Sequence, residues 1–268
     1  MLHGLAGFLG FVFNFDLLDT WGLRLLLGLR ITAEVVLISC SLGFLLAYPL
    51  AQARMSRNPF ISAPALSYIT FFRGTPLLCQ LYLVYYGAGE IRPFLTSVDL
   101  WWFFRDAFYC CIFAFTANTA GYQAEIMRGA IQSVPKGQIE AARALGLSPY
   151  GIARHVVWPQ ALLVALRPLG NELIGIIKAS ALAAIVTLLD LMGETRFVFA
   201  RTFDFSIYLY SALIYLAITQ TISRVWNWAE AKLSRHLVVE RAGPALAVPV
   251  GREGQPAALR PLTVERSA

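Results

Sequence analysis

The chain has 268 residues, of which 57% are hydrophobic and 14% charged, whereas soluble domains carry about 25% charged residues. With a mean hydropathy of +0.60, that composition excludes an ordinary water-soluble domain and indicates a membrane protein. The formal net charge of +6 would suit a nucleic-acid binder, but a basic excess in a membrane protein collects in cytoplasmic loops, so the placement of the charges decides between the two.

The first stretch, MLHGLAGFLGFVFNFDLLDTWGLR, lacks the basic start and small-residue cleavage site of a signal peptide. Its apolar run stops at Asn14 and Asp16, short of the ~20 residues a helical span needs. Residues 1–23 are expected to be an interfacial segment, with Phe11, Phe13, Phe15 and Trp21 at the headgroups, rather than a sixth span.

Five later stretches, 29–50, 64–88, 107–129, 167–192 and 205–227, are long and apolar enough to cross a bilayer as helices. An odd number of crossings puts the termini on opposite sides. With the C-terminus cytoplasmic, the inside segments hold Arg54, Arg57, Lys136, Arg143, Arg154, Arg224, Lys232, Arg235 and Arg241, and the outside loops only Arg92, Arg105, Arg196 and Arg201. The positive-inside rule accounts for the basic excess, and no nucleic-acid partner is needed. Tyr85, Tyr86, Trp101, Trp102, Trp226 and Trp228 fall at the expected interfaces.

Cys40, Cys79, Cys110 and Cys111 lie in apolar stretches without CxxC spacing, and His3, His155 and His236 lie outside the spans. Neither a disulfide, a metal site nor an intramembrane haem is expected. Residues 239–268 turn Pro-, Gly- and charge-rich and read as a mobile cytoplasmic tail. No Gly-x4-Gly-Lys-Ser/Thr phosphate loop occurs, so any ATP used must be bound by another chain.

The longest inside loop joins the third and fourth spans. Ser133 with Pro135 is expected to open a helix, Ile139, Ala142 and Leu145 to share a face, and Gly146 to cap its end. Ser148 and Pro149 would open a second helix ending near Trp158, before Pro159. The first of these helices either docks in a partner's groove, with Ala141 and Ala142 allowing close approach, Ile139 and Leu145 anchoring and Glu140 accepting, or rests on lipid headgroups.

Ionisable residues inside spans cost about 2.5–3.5 kcal/mol at a helix centre and face a bundle interior or an aqueous path. Arg73, Glu125, Glu172 and Lys178 are of this kind, with Asn171 beside Glu172, while Arg30 and Glu34 sit where they can snorkel. Arg73 lies in an Arg-Gly-Thr-Pro break, where Pro76 removes a donor and Gly74 loosens the helix, as in discontinuous helices that expose backbone groups to ligands. It either pairs with Glu125 or Glu172, or meets a substrate carboxylate. An ion-coupled carrier or gated channel would use the same charges for coupling, whereas nothing assembles an enzyme's nucleophile or metal.

Glu140-Ala141-Ala142, three residues, Gly146, nine residues and Val156-x-Trp158-Pro159 resemble the EAA loop of bacterial ABC importer permeases, EAA-x3-G-x9-I-x-L-P, with Trp158 in place of Leu. Phe72-Arg73-Gly74-Thr75-Pro76-Leu77-Leu78, Gln80-Leu81 and Tyr85-Tyr86-Gly87 resemble the FRGTPLL-x-QL…YYG stretch of the polar amino-acid uptake permeases. Asn118-Thr119-Ala120, Tyr122, Glu125-Ile126 and Arg128-Gly129 are similar to that family's third helix, and Asn171-Glu172, Lys178 and Ser180 to its fourth. The resemblance covers residues 24–238 and is closest to the histidine, octopine and nopaline transport permeases.

It implies an all-α integral membrane subunit of five transmembrane helices, of the type I ABC importer kind, with a cytoplasmic coupling helix. Such a subunit resides in the bacterial inner membrane, N-terminus periplasmic, and is a transport component rather than an enzyme. It pairs with a second permease, two cytosolic ATPase subunits that hold ATP and magnesium, and a periplasmic binding protein, and has no cofactor of its own. The resemblance assigns Glu140, Ala141, Ala142, Gly146 and Pro159 to ATPase coupling. Arg73, Glu125, Asn171, Glu172 and Lys178 become candidates for a path taking polar, basic amino acids or opines.

Overall fold

The computed structural model describes residues 14–234, and those residues are helical throughout apart from turns. Residues 1–13 and the expected tail at 239–268 lie outside the described residues. Asn14 caps the first helix, α1 (Phe15–Arg54), by accepting from the Leu17 N–H at 3.3 Å, and Asp16 sits in the first turn, where the helix dipole favours an acid. Residues 15–23, expected to be a separate interfacial segment, are therefore the opening turns of α1, which begins well before residue 29.

Asn58 and Pro59 start α2 (Pro59–Gly74). The expected second span, 64–88, is two helices: Thr75 is extended (φ −111°, ψ 146°) and Pro76 has no N–H, so α3 (Leu77–Glu90) begins afresh. Two short helices, α4 (Arg92–Ser97) and α5 (Trp101–Phe104), lead to α6 (Ala107–Gln132), capped by Asp106 accepting from the Phe108 N–H at 2.8 Å.

Beyond it come α7 (Lys136–Ala144), α8 (Pro149–Ile152), α9 (Trp158–Ala179), α10 (Leu191–Thr202) and α11 (Ser206–Leu233). A tighter 3-10 stretch, Ser180–Val186, extends α9. The fourth span stops at Val186 rather than 192, because Thr187 turns the chain at φ +64° and Asp190 then caps α10 through the Gly193 N–H at 2.8 Å.

Three helical stretches are long and apolar enough to cross a bilayer by length and composition: 16–54, 149–186 and 206–233. At 16 and 14 residues, α2 and α3 are each too short. With 26 residues, α6 is long enough, yet it carries buried Thr116, Asn118, Thr119 and Gln123. These polar groups are tolerated because α6 is the central helix, packed by α1, α2, α3 and α9 and needing no wholly apolar surface of its own.

One core cluster joins Val35, Leu81, Phe115 and Val186 around the middle of α6, and a second joins Leu17, Leu25, Leu191 and Ile207 where α1, α10 and α11 meet. Leu23, Leu37 and Leu45 of α1 point outward, as suits a helix facing lipid. Asn14 also donates to Asp204 at 2.9 Å, tying the start of α1 to the turn before α11. The Ser206 N–H and hydroxyl, followed by Asn14, hold the Asp204 carboxyl below the usual range.

Candidate functional site

Two regions carry the residues singled out by the sequence: the loop from Ser133 to Pro159 and the break between α2 and α3. In the loop, Ser133 closes α6 rather than opening α7, its hydroxyl donating to the Ala130 carbonyl at 2.7 Å, and Pro135 stands at the start of α7. The end of α7 is fixed by two backbone bonds, Gly146 N–H to Arg143 at 2.9 Å and Leu147 N–H to Ala142 at 3.2 Å. This Schellman closure needs a left-handed residue, and Gly146 supplies it at φ +76°.

The loop does not present the single apolar face expected of it. Ala142 is buried against the chain's own helices, and Ile139 packs with Ala130, Val134, Ala161 and Ala165. Ile139 thereby holds α7 onto α6 and α9. Glu140 and Ala141 face outward, as do Leu145 and Tyr150 at 80% and 71% exposure. The outward apolar pair therefore flanks Gly146.

The second loop helix does not end before Pro159. From Ala153 to Val157 the helix widens into a π turn, and the Trp158 N–H reaches the Ala153 carbonyl five residues back. Widening accommodates the proline, whose ring would clash with the carbonyl four residues earlier in an α-helix. Residues 149–186 thus run as one continuous rod. Trp158 packs its ring 5.2 Å from that of Tyr48 on α1, and Gln160 donates to Gln138 of α7 at 2.5 Å, so the family's Leu position holds a larger residue with a partner of its own.

At the break, Pro76 leaves the Phe72 carbonyl without its helical donor. Two side-chain amides replace it: Gln80 donates to Phe72 O at 3.0 Å and to Thr75 O at 3.1 Å, and Asn118 donates to Phe72 O at 3.0 Å. Asn118 also donates to Gln80 Oε1 at 3.0 Å, and the Tyr122 hydroxyl donates to the Arg73 carbonyl at 3.3 Å. The break is thus held open by side chains of α3 and α6.

It borders a cavity of about 550 Å³ lined by Arg73, Thr75, Pro76, Asn118, Tyr122 and Glu172, with Gly175 and Ile176 on the α9 side. Arg73 does not pair with Glu125 or Glu172 as one reading had it; its guanidinium lies over the Tyr122 ring, 5.4 Å from the centroid. Glu172 accepts from the Thr119 hydroxyl at 3.1 Å. Cation and carboxylate therefore line one space without a direct ion pair.

Of the five path candidates, the cavity brings together Arg73 and Glu172 only. Glu125 is held on its own helix by Arg128, whose Nε lies 3.0 Å from both carboxylate oxygens, while Asn171 and Lys178 are exposed off the cavity wall. Sequence reasoning did not place Gln80, Asn118 or Tyr122 in the site. The available signal was a proline-freed carbonyl in need of donors, with two amides in apolar helices to supply them.

The model of the binding-protein-dependent transport system inner membrane component matches residues 41–236. The chain belongs to that family. The permease is 39% identical over 223 residues to the nopaline transport system permease protein NocM of Agrobacterium fabrum, covering 83% of this chain and 92% of that one. It is 37% identical over 211 residues to the histidine/lysine/arginine/ornithine transport system permease protein HisM of Escherichia coli, covering 78% and 89%. A crystal structure of an amino acid ABC transporter with histidines superposes with a TM-score of 0.72 at 32% identity, covering 80% of the permease and 96% of that chain. The fold is that of a type I ABC importer permease, and the chain is a transport subunit rather than an enzyme.

Proposed function

We propose that the permease forms half of a translocation path for polar amino acids or opines, basic ones above all. A second permease, identical or homologous, forms the other half, two cytosolic ATPases supply the energy and a periplasmic binding protein delivers the solute. The observation that carries this reading is the cavity at the α2–α3 break, where Arg73 and Glu172 line one space without a direct ion pair between them. A free amino acid brings a carboxylate for the guanidinium and an ammonium for the carboxylate. Relatives whose names specify nopaline or histidine, lysine, arginine and ornithine transport support that class of solute.

Five crossings follow from α1, the broken pair α2–α3, α6, α9 and α11, with the N-terminus periplasmic and the C-terminus cytoplasmic. The basic residues of the loop and of the end of α11 support that orientation. Residues 24–238 form the permease domain, residues 1–23 precede it and 239–268 follow it as a tail. Glu140, Ala141, Leu145 and Tyr150 form the face offered to the ATPase with Ala142 seated behind it, Gly146 sets its turn, and Pro159 lies within the rod beside the wide turn between α8 and α9. Closure of the ATPases on ATP carries α7 and α8, and α9 moves with α8 as one rod, turning the cavity from one side of the membrane to the other. Membership of a binding-protein-dependent family favours this over a carrier or channel.

The test is uptake into vesicles containing the whole complex, with Glu172→Gln in the permease. Transport of cationic amino acids should fall about tenfold more than that of neutral ones, the scale of one hydrogen bond to a charged group. Equal losses for both would remove Glu172 as the reader of positive charge.

A further inference from the structure

Behind the cavity wall, a chain of hydrogen-bonded buried side chains ends at Glu172, which itself lines the cavity. The Thr119 hydroxyl has one proton and gives it to Glu172 Oε1 at 3.1 Å. Its lone pair accepts from the Gln123 amide at 3.2 Å, and the same amide nitrogen reaches the Cys40 carbonyl of α1 at 3.5 Å. Thr119 and Gln123 are both buried, and Gln123 Oε1 has no hydrogen-bond partner among the described residues. An unpartnered buried acceptor is costly. The side chain accepts that cost by turning its donor, rather than its carbonyl, toward Thr119.

The polarity of the chain runs one way. Gln123 donates to Thr119 and Thr119 donates to Glu172, so the arrangement favours a carboxylate that accepts at Oε1 and leaves Oε2 for a ligand. The helix approach is set to match. A Cβ at Gly43 of α1 would collide with the Thr119 methyl and lie 3.3 Å from the Ala120 nitrogen and 3.5 Å from Gln123 Oε1. Only glycine there lets α1 sit this close to Thr119 and Gln123.

We propose that Thr119, oriented by Gln123 and seated by Gly43, is a positioning residue that fixes the Glu172 carboxylate toward the cavity and so sets the permease's preference for cationic over neutral solutes. The inference rests on the reading of Glu172 given above. It assigns charge selectivity to three residues that contact no solute.

The experiment uses the complete complex in vesicles, loaded in turn with one binding protein carrying a cationic amino acid and one carrying a neutral amino acid. The readout is the ratio of the two uptake rates. Thr119→Val removes the hydroxyl at nearly constant shape and should lower the ratio by about threefold to tenfold, while Thr119→Ser restores it to within about twofold. Gly43→Ala keeps every hydrogen-bonding group but displaces Thr119, and should lower the ratio in the same direction. Thr119→Val in a Glu172→Gln background should change the ratio no further, since the two then act through one interaction.

A purely structural role for Thr119 would slow both solutes alike and add to Glu172→Gln, and either result overturns the inference while leaving the Glu172 reading intact. If Glu172→Gln itself leaves the ratio unchanged, both fall. Should Thr119→Val fail to assemble, the Ser and Gly43 variants decide alone: an unchanged ratio in Gly43→Ala with Thr119 displaced overturns the proposal.

Discussion

The prolines at 76 and 159 sit at helix junctions, and the chain responds to them in opposite ways. At Pro76 the helix stops, the backbone extends through Thr75, and a new helix begins. At Pro159 the helix continues, widened for one turn. The difference lies in what surrounds each. Around Pro76, the Gln80 and Asn118 amides bind the freed carbonyl and stabilise a gap. Around Pro159, Trp158 rests on Tyr48 and Gln160 holds Gln138, so the segment stays in register on both sides and the backbone absorbs the proline locally. A proline removes one donor, and its neighbours decide whether the result is an opening or a joint.

Removing the neighbours at the opening should therefore cost most. Asn118→Leu leaves Gln80 Oε1 without its donor and the Phe72 carbonyl half served. About 1–3 kcal/mol should be lost, visible as a lower Tm of the detergent-solubilised complex and as reduced uptake. An intermediate effect is expected of Gly146→Val. No atom lies within 4 Å of the new Cβ, so the penalty is the left-handed backbone alone, about 1–2 kcal/mol. Solute-stimulated ATP hydrolysis should collapse while membrane insertion, followed by fractionation, is unchanged.

The smallest effect should come from Pro159→Ala. With the N–H restored the wide turn can relax, and stability should change by about 0.5 kcal/mol or less, although ATP hydrolysis per solute transported should rise as α8 rotates relative to α9. A larger loss of Tm in Pro159→Ala than in Asn118→Leu would falsify the contrast.

The same contrast marks what was legible in the sequence. Apolar length gave the cores of α1, α6 and α11, and the fixed spacing from Glu140 to Pro159 gave the loop, because both signals are local. The Arg-Gly-Thr-Pro sequence announced a break near residue 75, but not what holds it open. The donors that hold it open lie up to 46 residues away, at Asn118. Continuity through Pro159 was hidden for a related reason: a rule about the residue before proline carries no information about Tyr48, over a hundred positions earlier. The expected partner for Arg73 was sought among acids, whereas the structure supplies the face of Tyr122. Charge alone could not distinguish a guanidinium over a ring from one in an ion pair.

The uninterrupted helix from 149 to 186 gives the permease a lever arm. Ile152 and Glu172 are on the same rod, separated by roughly 30 Å at 1.5 Å per residue. A tilt of about 10° pivoting near Glu172 would sweep the loop end through roughly 5 Å on that length, and the reverse holds for a pivot at the loop. Mechanical advantage is thereby available within a single element: a small rotation at the Glu172 carboxylate and a several-ångström stroke at the Ser133–Pro159 loop are the same motion seen from its two ends.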